Sequence, residues 1–318
     1  MNIVFCAQHP YYGGLGPTGG TATILRSVMM LRDMGHTANV VTRSDKFTWF
    51  KHPAPLRHIP KDADVCIAVS SNDIKPMLTR MPKKARPFYW CRLLDAGSKM
   101  PKKKLLHYVS KVPTLVNSEN LRDWFKEHGI QTTIAYQGVD IDKWQDNGKR
   151  DKPTIGFLIS KKLRKHFELV EQIVKRLGDE YDYVGYGASK DQNKSTLAFV
   201  KEHLSYFQTN ASHADLLRIY NLCHIWVATS TQEGLHNPPV EAALCGCEVV
   251  FPDAALGGCS DHCLAGETAY RYKARDPDSA VQVIKQADGS RVAVHQELIR
   301  AKIGDRRVAM ERLVQCLQ

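Results

Sequence analysis

The stretch from Ile225 to Val250 constrains this chain more than any other. An apolar, β-branched run from Ile225 to Thr229 predicts a buried strand. A polar turn holding Glu233 and Gly234 follows. Pro238 and Pro239 suit the first turn of a helix, where a missing N–H costs nothing. That helix stops at Gly246, a residue that tolerates the left-handed C-terminal conformation. A second strand, Glu248 to Phe251, comes next. The result is a strand–loop–helix–strand unit with two carboxylates at its ligand-facing end, Glu233 in the loop and Glu241 in the first helical turn. A helix N-terminus attracts phosphate, and carboxylates repel it. The pair therefore suits hydroxyl-rich neighbours, a ribose and a sugar. Two arbitrary glutamates in such places are more often a dipole complement and a solvated loop residue.

The wider pattern shifts that balance. Glu233 and Glu241 stand as E-x7-E within E-G-x-x-x-P-P-x-E-A-A-x-x-G. This resembles the signature of GT-B glycosyltransferases of the large family-4 type, retaining enzymes that use nucleotide-sugar donors. The resemblance implies an α/β fold of two Rossmann-like domains facing across a cleft. It implies that Glu241 holds the ribose hydroxyls and Glu233 faces the donor sugar, with Gly234, Leu235 and Asn237 lining the donor site between them. Cys247 and Glu248 depart from the family, which usually has a small residue or Thr and then Pro after the glycine.

A chain of 318 residues has room for two domains with separate cores. No apolar run approaches the length of a membrane span. The start, Met1 to Ala7, lacks a basic lead and reads as a buried strand rather than a signal peptide. Nine cysteines in this setting predict reduced thiols and a cytoplasmic protein, peripheral to a membrane if its basic half meets one. The charge is uneven: residues 1–150 hold 23 Lys and Arg against 12 Asp and Glu, which is the whole of the net +11. That half is expected to meet an anionic partner.

Residues 1–150 read as the first domain. A strand ending near His9 leads into a glycine-rich loop, Gly13 to Gly20, then a helix from about Thr21 to Met34 with Ile24, Leu25, Val28 and Leu31 on one face. Strand, glycine-rich loop, helix and strand (Ala38 to Thr42) begin a doubly wound domain. The family has a Gly-Gly pair near the donor diphosphate. Gly19 and Gly20 match it best, with Gly13 and Gly14 as the competitor. Further strands are expected at Asp64–Ser70, Phe88–Cys91 and Val112–Ser118, and a helix at Asn120–Glu127. Between them lie Lys75, Arg80, Lys83, Lys84, Arg86, Arg92, Lys99, Lys102, Lys103, Lys104 and Lys111. A solvated face is the ordinary reading of such a run, but its density favours an acceptor surface at Arg92 and Lys102 to Lys104.

Tyr136 to Trp144 resembles the family segment N-G-V-D-x-x-x-F, where the chain leaves the first domain. Gln145 to Lys152 then reads as the linker, and residues 151–304 as a nucleotide-sugar domain. Its first strand, Thr154 to Ile159, leads through the basic turn Lys161 to Phe167 into a helix ending at Leu177. The family usually has Gly-Arg-Leu and then Lys-Gly here, and its Arg and Lys neutralise the diphosphate. Phe157 stands where that Arg would be; Lys165 matches the Lys, and Arg164 or Lys161 supplies the missing charge. A strand at Tyr181–Val184 and helices at Asp215–Leu222 and Asp278–Gln286 complete the domain, and Gly257-Gly258 resembles a family loop that touches the donor sugar or its phosphate. Residues 305–318 form a last helix capped by Asp305, which in related folds crosses back to the first domain.

Cys245-x-Cys247 and Cys259-x3-Cys263 with His262 nearby fit no common zinc spacing, so buried thiols are the expectation. The Asp-x-Asp strings at Asp62/Asp64, Asp140/Asp142 and Asp276/Asp278 read as incidental, and neither an essential metal nor a cofactor is expected. The catalytic group is thus Glu233, Lys165 and Arg164, with Asp95 or His9 as a contribution from the first domain. The expected reaction is hexosyl transfer from a nucleotide-diphosphate sugar to a hydroxyl. The acceptor stays open among a glycan, a glycolipid and phage-type modified DNA. A GT-B-fold sugar-nucleotide epimerase or a non-catalytic binding protein is the reading from another class.

Overall fold

The computed structural model describes residues 1–7, 19–42, 55–94, 101–148, 152–189 and 192–318. The chain forms two compact units: Met1–Gly138 together with Asp305–Gln318, and Val139–Gly304.

The first unit is built on a six-stranded sheet of β1 (Asn2–Ala7), β2 (Thr37–Thr42), β3 (Val65–Ala68), β4 (Arg86–Cys91), β5 (Thr114–Val116) and β6 (Thr133–Ile134). Its order is β2-β1-β3-β4-β5-β6, with every pair parallel. Ile3, Val4, Phe5 and Cys6 are all essentially inaccessible. Neighbouring side chains of a strand point to opposite faces, so β1 must be covered on both. The helices of this unit are α1 (Gly19–Asp33), α2 (Ser71–Arg80), α3 (Lys102–Val109) and α4 (Glu119–Glu127). On one face, Ile24, Leu25, Val28 and Leu31 of α1 join Ile3 and Phe5 in a single core.

The second unit has its own six-stranded parallel sheet. Its strands are β7 (Thr154–Leu158), β8 (Asp182–Gly187), β9 (Tyr206–Thr209), β10 (Ile225–Val227), β11 (Glu248–Asp253) and β12 (Tyr270–Lys273). The order is β12-β11-β10-β7-β8-β9. Counted within the unit this is 3-2-1-4-5-6, the doubly wound arrangement whose ligands bind beyond the carboxyl ends of the strands where the order reverses. That switch lies between β7 and β10. The helices are α5 (Phe167–Leu177), α6 (Lys194–His203), α7 (His213–Leu222), α8 (Asn237–Leu244), α9 (Pro277–Ile284) and α10 (Val292–Leu298).

The final helix, α11 (Arg306–Cys316), is part of the first unit. Asp305 caps it, its side chain accepting from the N–H of Arg307 at 2.8 Å. Met310, Leu313 and Leu317 complete the core around α1. Gly138 makes the docking possible: at φ +66, a Cβ on it would sit 2.5 Å from the Cα of Arg306. The buried Arg306 donates to the carbonyl of Gln137 at 3.1 Å.

Several boundaries differ from the sequence reading. The chain enters the second unit at Val139, ahead of the expected linker at 145–152. The reason is Trp144, 2% exposed, whose ring packs 4.4 Å from His213 and 5.5 Å from Tyr220. Asn221 of α7 extends the attachment: its amide donates to the carbonyl of Gln145 at 3.1 Å and accepts from the N–H of Asn147 at 2.8 Å. Next, α1 begins at Gly19, so Gly19 and Gly20 form its first turn rather than a preceding loop. Finally, the strand expected at 64–70 is confined to Val65–Ala68, and Ser71 opens α2.

Candidate active site

At the switch between β7 and β10, two short segments are stitched edge to edge. After β7 the chain makes a tight turn over Leu163–Lys165 and reaches His166 at φ 49, the left-handed region. This is where the family pattern Lys-Gly has its glycine, which adopts that conformation freely. A histidine there needs support, and its Nε2 lies 2.8 Å from Oγ1 of Thr231. The backbones are joined as well: Thr231 N–H donates to the carbonyl of Arg164 at 3.0 Å, and Thr229 Oγ1 donates to that of Lys165 at 2.5 Å.

This stitching presents Arg164 and Lys165 to Glu233. Arg164 Nη1 and Lys165 Nζ both pair with Oε1 of Glu233. Ser230 Oγ donates to the same oxygen at 2.9 Å, and Arg164 Nη1 also donates to the carbonyl of Gln232 at 3.0 Å. Burial pushes the Glu233 carboxyl up, but Lys165, then His236 and Arg164, outweigh it and hold it down to about 2. Lys165 is lowered from its usual value, chiefly by burial and despite Glu233. The centre is thus a carboxylate between two cations, largely removed from water, where charge–charge interactions are strong.

The Glu233 loop is fixed from its other side. Its N–H donates to the carbonyl of Leu256 at 2.6 Å, and His236 N–H donates to that of Gly258 at 3.0 Å. Gly258 sits at φ +74, and a Cβ there would come 2.3 Å from the carbonyl oxygen of Gly234. The Gly257-Gly258 turn therefore packs directly against the carboxylate loop. His236, Lys165 and Ser230 share the lining of a cavity of about 10 Å³, roughly the room one water needs.

Helix α8 starts at Asn237 with Pro238 and Pro239 in its first turn. Glu241 is its fifth residue and so lies in the second turn, not the first as the sequence suggested; the asparagine begins the helix one residue ahead of the prolines. Its Oε2 accepts from the Tyr220 hydroxyl at 3.0 Å, which lies 3.1 Å from that of Tyr186. Burial pushes the Tyr220 hydroxyl up, so it keeps its proton and serves as the donor. Tyr220, Tyr186 and Trp226 pack as a cluster behind the carboxylate.

The structure therefore joins Arg164, Lys165, Glu233 and Gly234 in one group, with Leu235 buried and Asn237 opening α8 beside them. Lys161 is not part of this group: its Nζ lies 4.7 Å from the centre of the Phe167 ring. Phe157 is a fully buried core residue of β7. In the first unit, Arg92 Nη1 donates to the carbonyl of Gly20 at 2.5 Å, and both Gly19 and Gly20 are exposed. Lys102, Lys103 and Lys104 are exposed at the start of α3, with Lys102 Nζ 5.7 Å from the Trp124 ring centre. Asp95, His9, Gly13 and Gly14 lie outside the described residues. Sequence reasoning missed His236, Ser230, Tyr220 and Thr231. Of these, His236 carried a signal, its place directly before a double-proline helix start.

Residues 153–287 match the glycosyl transferases group 1 family. The chain carries a group 1 glycosyl transferase domain. The chain has the GT-B glycosyltransferase fold, and the E-x7-E pair falls inside the matched span. No curated protein is similar enough in sequence to match. Among solved structures, the chain is similar to HepE of Anabaena, solved in complex with UDP and glucose, with a TM-score of 0.80 at 15% identity over 100% of this chain and 99% of that one. Sucrose-phosphate synthase from Thermosynechococcus elongatus superposes with a TM-score of 0.80 at 13% identity, covering 99% and 98%. A glycosyltransferase from Rickettsia africae gives 0.76 at 11% identity, covering 99% and 97%. At these identities the likeness is one of fold. No helix among the described residues is long and apolar enough to cross a membrane.

Proposed function

We propose that this glycosyltransferase moves a hexosyl unit from a UDP-sugar to a hydroxyl of a glycan or glycolipid, with retention at the anomeric carbon. The observation that carries this reading is the convergence of Arg164 and Lys165 on Glu233 at the switch between β7 and β10. A buried lysine and a half-buried arginine beside a loop that opens a helix suit a diphosphate. HepE, of the same fold, was solved with UDP-glucose. Tyr220 orients the Glu241 carboxylate for the two ribose hydroxyls, and Glu233 accepts from hydroxyls of the sugar.

In the reaction, the bond between the anomeric carbon and the β-phosphate oxygen breaks as the acceptor oxygen bonds to that carbon from the same face. The acceptor proton passes to the departing phosphate oxygen, and UDP leaves. Arg164 and Lys165 stabilise the charge that develops on the diphosphate, where fixed cations in a water-poor site act most strongly. No divalent cation is assigned a part. The first unit offers Arg92 with Lys102, Lys103 and Lys104 to an anionic acceptor or the surface bearing it. Those lysines sit at a helix N-terminus, against the helix dipole; a placement that costs stability suits a binding role.

The test is to incubate the protein with UDP-glucose and with glycolipid and glycan fractions. The expected result is UDP released in step with a glycosylated product whose anomeric configuration, read by NMR, matches that of the donor. Inverted configuration would overturn retention. Epimerised nucleotide-sugar, or free sugar alone, would overturn transfer.

A further inference from the structure

Beyond the Gly257-Gly258 turn, two cysteines and two histidines meet in a buried cluster that the proposed reaction does not use. Cys259, His262 and Cys263 each offer one ligand atom within 4.8 Å of the others. His295 of α10 reaches the same point, with its Nε2 3.0 Å from Nδ1 of His262 and 3.9 Å from Sγ of Cys263. Sγ of Cys263 lies 3.3 Å from Nδ1 of His262. All four residues are 4% exposed or less. The imidazole planes lie 11° apart with centroids 5.3 Å apart, and the two nitrogens are 3.0 Å from each other.

The geometry points to a structural Zn²⁺ site formed by Sγ of Cys259 and Cys263, Nδ1 of His262 and Nε2 of His295. Zinc bonds of about 2.3 Å to sulfur and 2.0–2.1 Å to nitrogen put tetrahedral ligand atoms about 3.3–3.8 Å apart, and the separations among His262, Cys263 and His295 are 3.0, 3.3 and 3.9 Å. The donor set is soft, which selects zinc over the oxygen-seeking Mg²⁺ and Ca²⁺. Two thiolates and two neutral imidazoles carry two negative charges, which the ion cancels. A filled site is therefore neutral as a whole and compatible with burial. On binding, each thiol gives up its proton to solvent and each sulfur donates an electron pair to the metal; no oxidant or reductant takes part. Four protein ligands leave no open position, so the ion holds structure and does not catalyse. Cys259 and Cys263 also line a surface pocket of about 400 Å³ between Phe251 and Arg271, which gives the metal a way in.

The location gives the ion a purpose. His236 Nδ1 lies 3.6 Å from Sγ of Cys259, while its backbone N–H bonds the carbonyl of Gly258. A ring N–H there supports a metal-bound thiolate from outside the ligand set. Zinc would fasten the 257–263 turn and α10 to His236, the residue before α8, in the loop that carries Glu233. The four ligands were hidden in the sequence because His295 follows Cys263 by 32 residues, outside any familiar zinc spacing. The other pair is occupied differently: Cys247 Sγ donates to the carbonyl of Tyr220 at 3.1 Å.

To test this, the full chain would be purified with a metal-inert tag and no chelator, and its metal measured by mass spectrometry. The expected result is stoichiometric zinc in the wild type and in Cys316→Ser, and loss of zinc in Cys263→Ser and His295→Ala. If those two variants fail to fold, cobalt exchanged into the wild type gives a second reading: thiolate-to-metal charge-transfer bands with strong, tetrahedral ligand-field absorption. A metal-poor wild type that shows neither cobalt bands nor a zinc-dependent rise in Tm would overturn the site. So would a Cys259–Cys263 disulfide in protein alkylated at lysis.

Discussion

Lys165 and Glu233 form an ion pair from which water is nearly excluded, with 10% of the lysine side chain and 12% of the glutamate side chain exposed. Arg164 shares the same carboxylate oxygen. Glu233 thereby keeps two cations gathered at one point, ready for an anion with more oxygens to offer than a single carboxylate. Much of what can be tested follows from that arrangement.

The carboxyl is held from 4.5 down to about 2. A depressed folded pKa contributes stability that is present above the unfolded value and lost as pH falls through the folded one. A shift of this size corresponds to on the order of 3 kcal/mol. Urea denaturation should therefore show a gap between wild type and Glu233→Gln that is full near about pH 6 and shrinks from about pH 4 downward. A gap that does not change with pH across that window would mean that the ion pairs contribute nothing.

Arg164 and Lys161 were equal candidates in the sequence, and the fold separates them. Arg164→Gln should weaken UDP-sugar binding by roughly 10–100-fold, the loss of one charge-assisted hydrogen bond. Lys161→Gln, which removes an exposed ammonium from the Phe167 face, should change it little. The reverse ranking in titration calorimetry would move the diphosphate away from the Leu163–Lys165 turn.

The local framework of this region was legible because its signals are short-range. The β-branched run at Ile225, the double proline and Gly246 each act on their own neighbours. The sequence misled at two local signals and wherever a signal depends on a distant partner. The start of α7 was read at Asp215, whereas Ser212 is the cap and Asp215 its partner in a capping box. α2 escaped notice because Pro76 lies within it. Residues 145–152 read as a tether, although the second unit begins at Val139, because that attachment rests on Trp144 meeting side chains of α7. Likewise, the carboxylates and the basic turn were visible in the sequence, but the convergence of Arg164 and Lys165 on one oxygen of Glu233, and the tyrosine behind Glu241, became visible only with the fold.

Glu241→Ala should leave the fold intact and cut UDP affinity by roughly 10–100-fold, as expected for losing bonds from a carboxylate to hydroxyls. Tyr220→Phe, which removes only the orienting hydroxyl, should cost less. Thermal denaturation with and without UDP reads both. Full UDP-dependent stabilisation of a folded Glu241→Ala protein would take the ribose away from this residue.

Replacing Lys102, Lys103 and Lys104 with Ala should leave UDP binding unchanged and weaken the acceptor interaction. On anionic vesicles each lost lysine should cost on the order of 1 kcal/mol. If DNA binds instead, log K should fall with log[salt] by about 0.9 for each phosphate neutralised, and less steeply in the triple variant. Sedimentation with vesicles and a DNA mobility shift at two salt concentrations distinguish these partners. Unchanged binding and activity in the variant would leave α3 as a solvated face.

The central claim is that the second unit holds a nucleoside diphosphate between the Arg164–Lys165 turn and Glu241. Thermal unfolding with increasing UDP tests it most directly, with UMP as the control that lacks the β-phosphate. At a hundredfold excess over Kd, UDP should add about 2.7 kcal/mol of stability, with UMP well behind and Lys165→Met abolishing the difference between them. Equal stabilisation by UDP and UMP, or none by either in the folded wild type, would contradict the account.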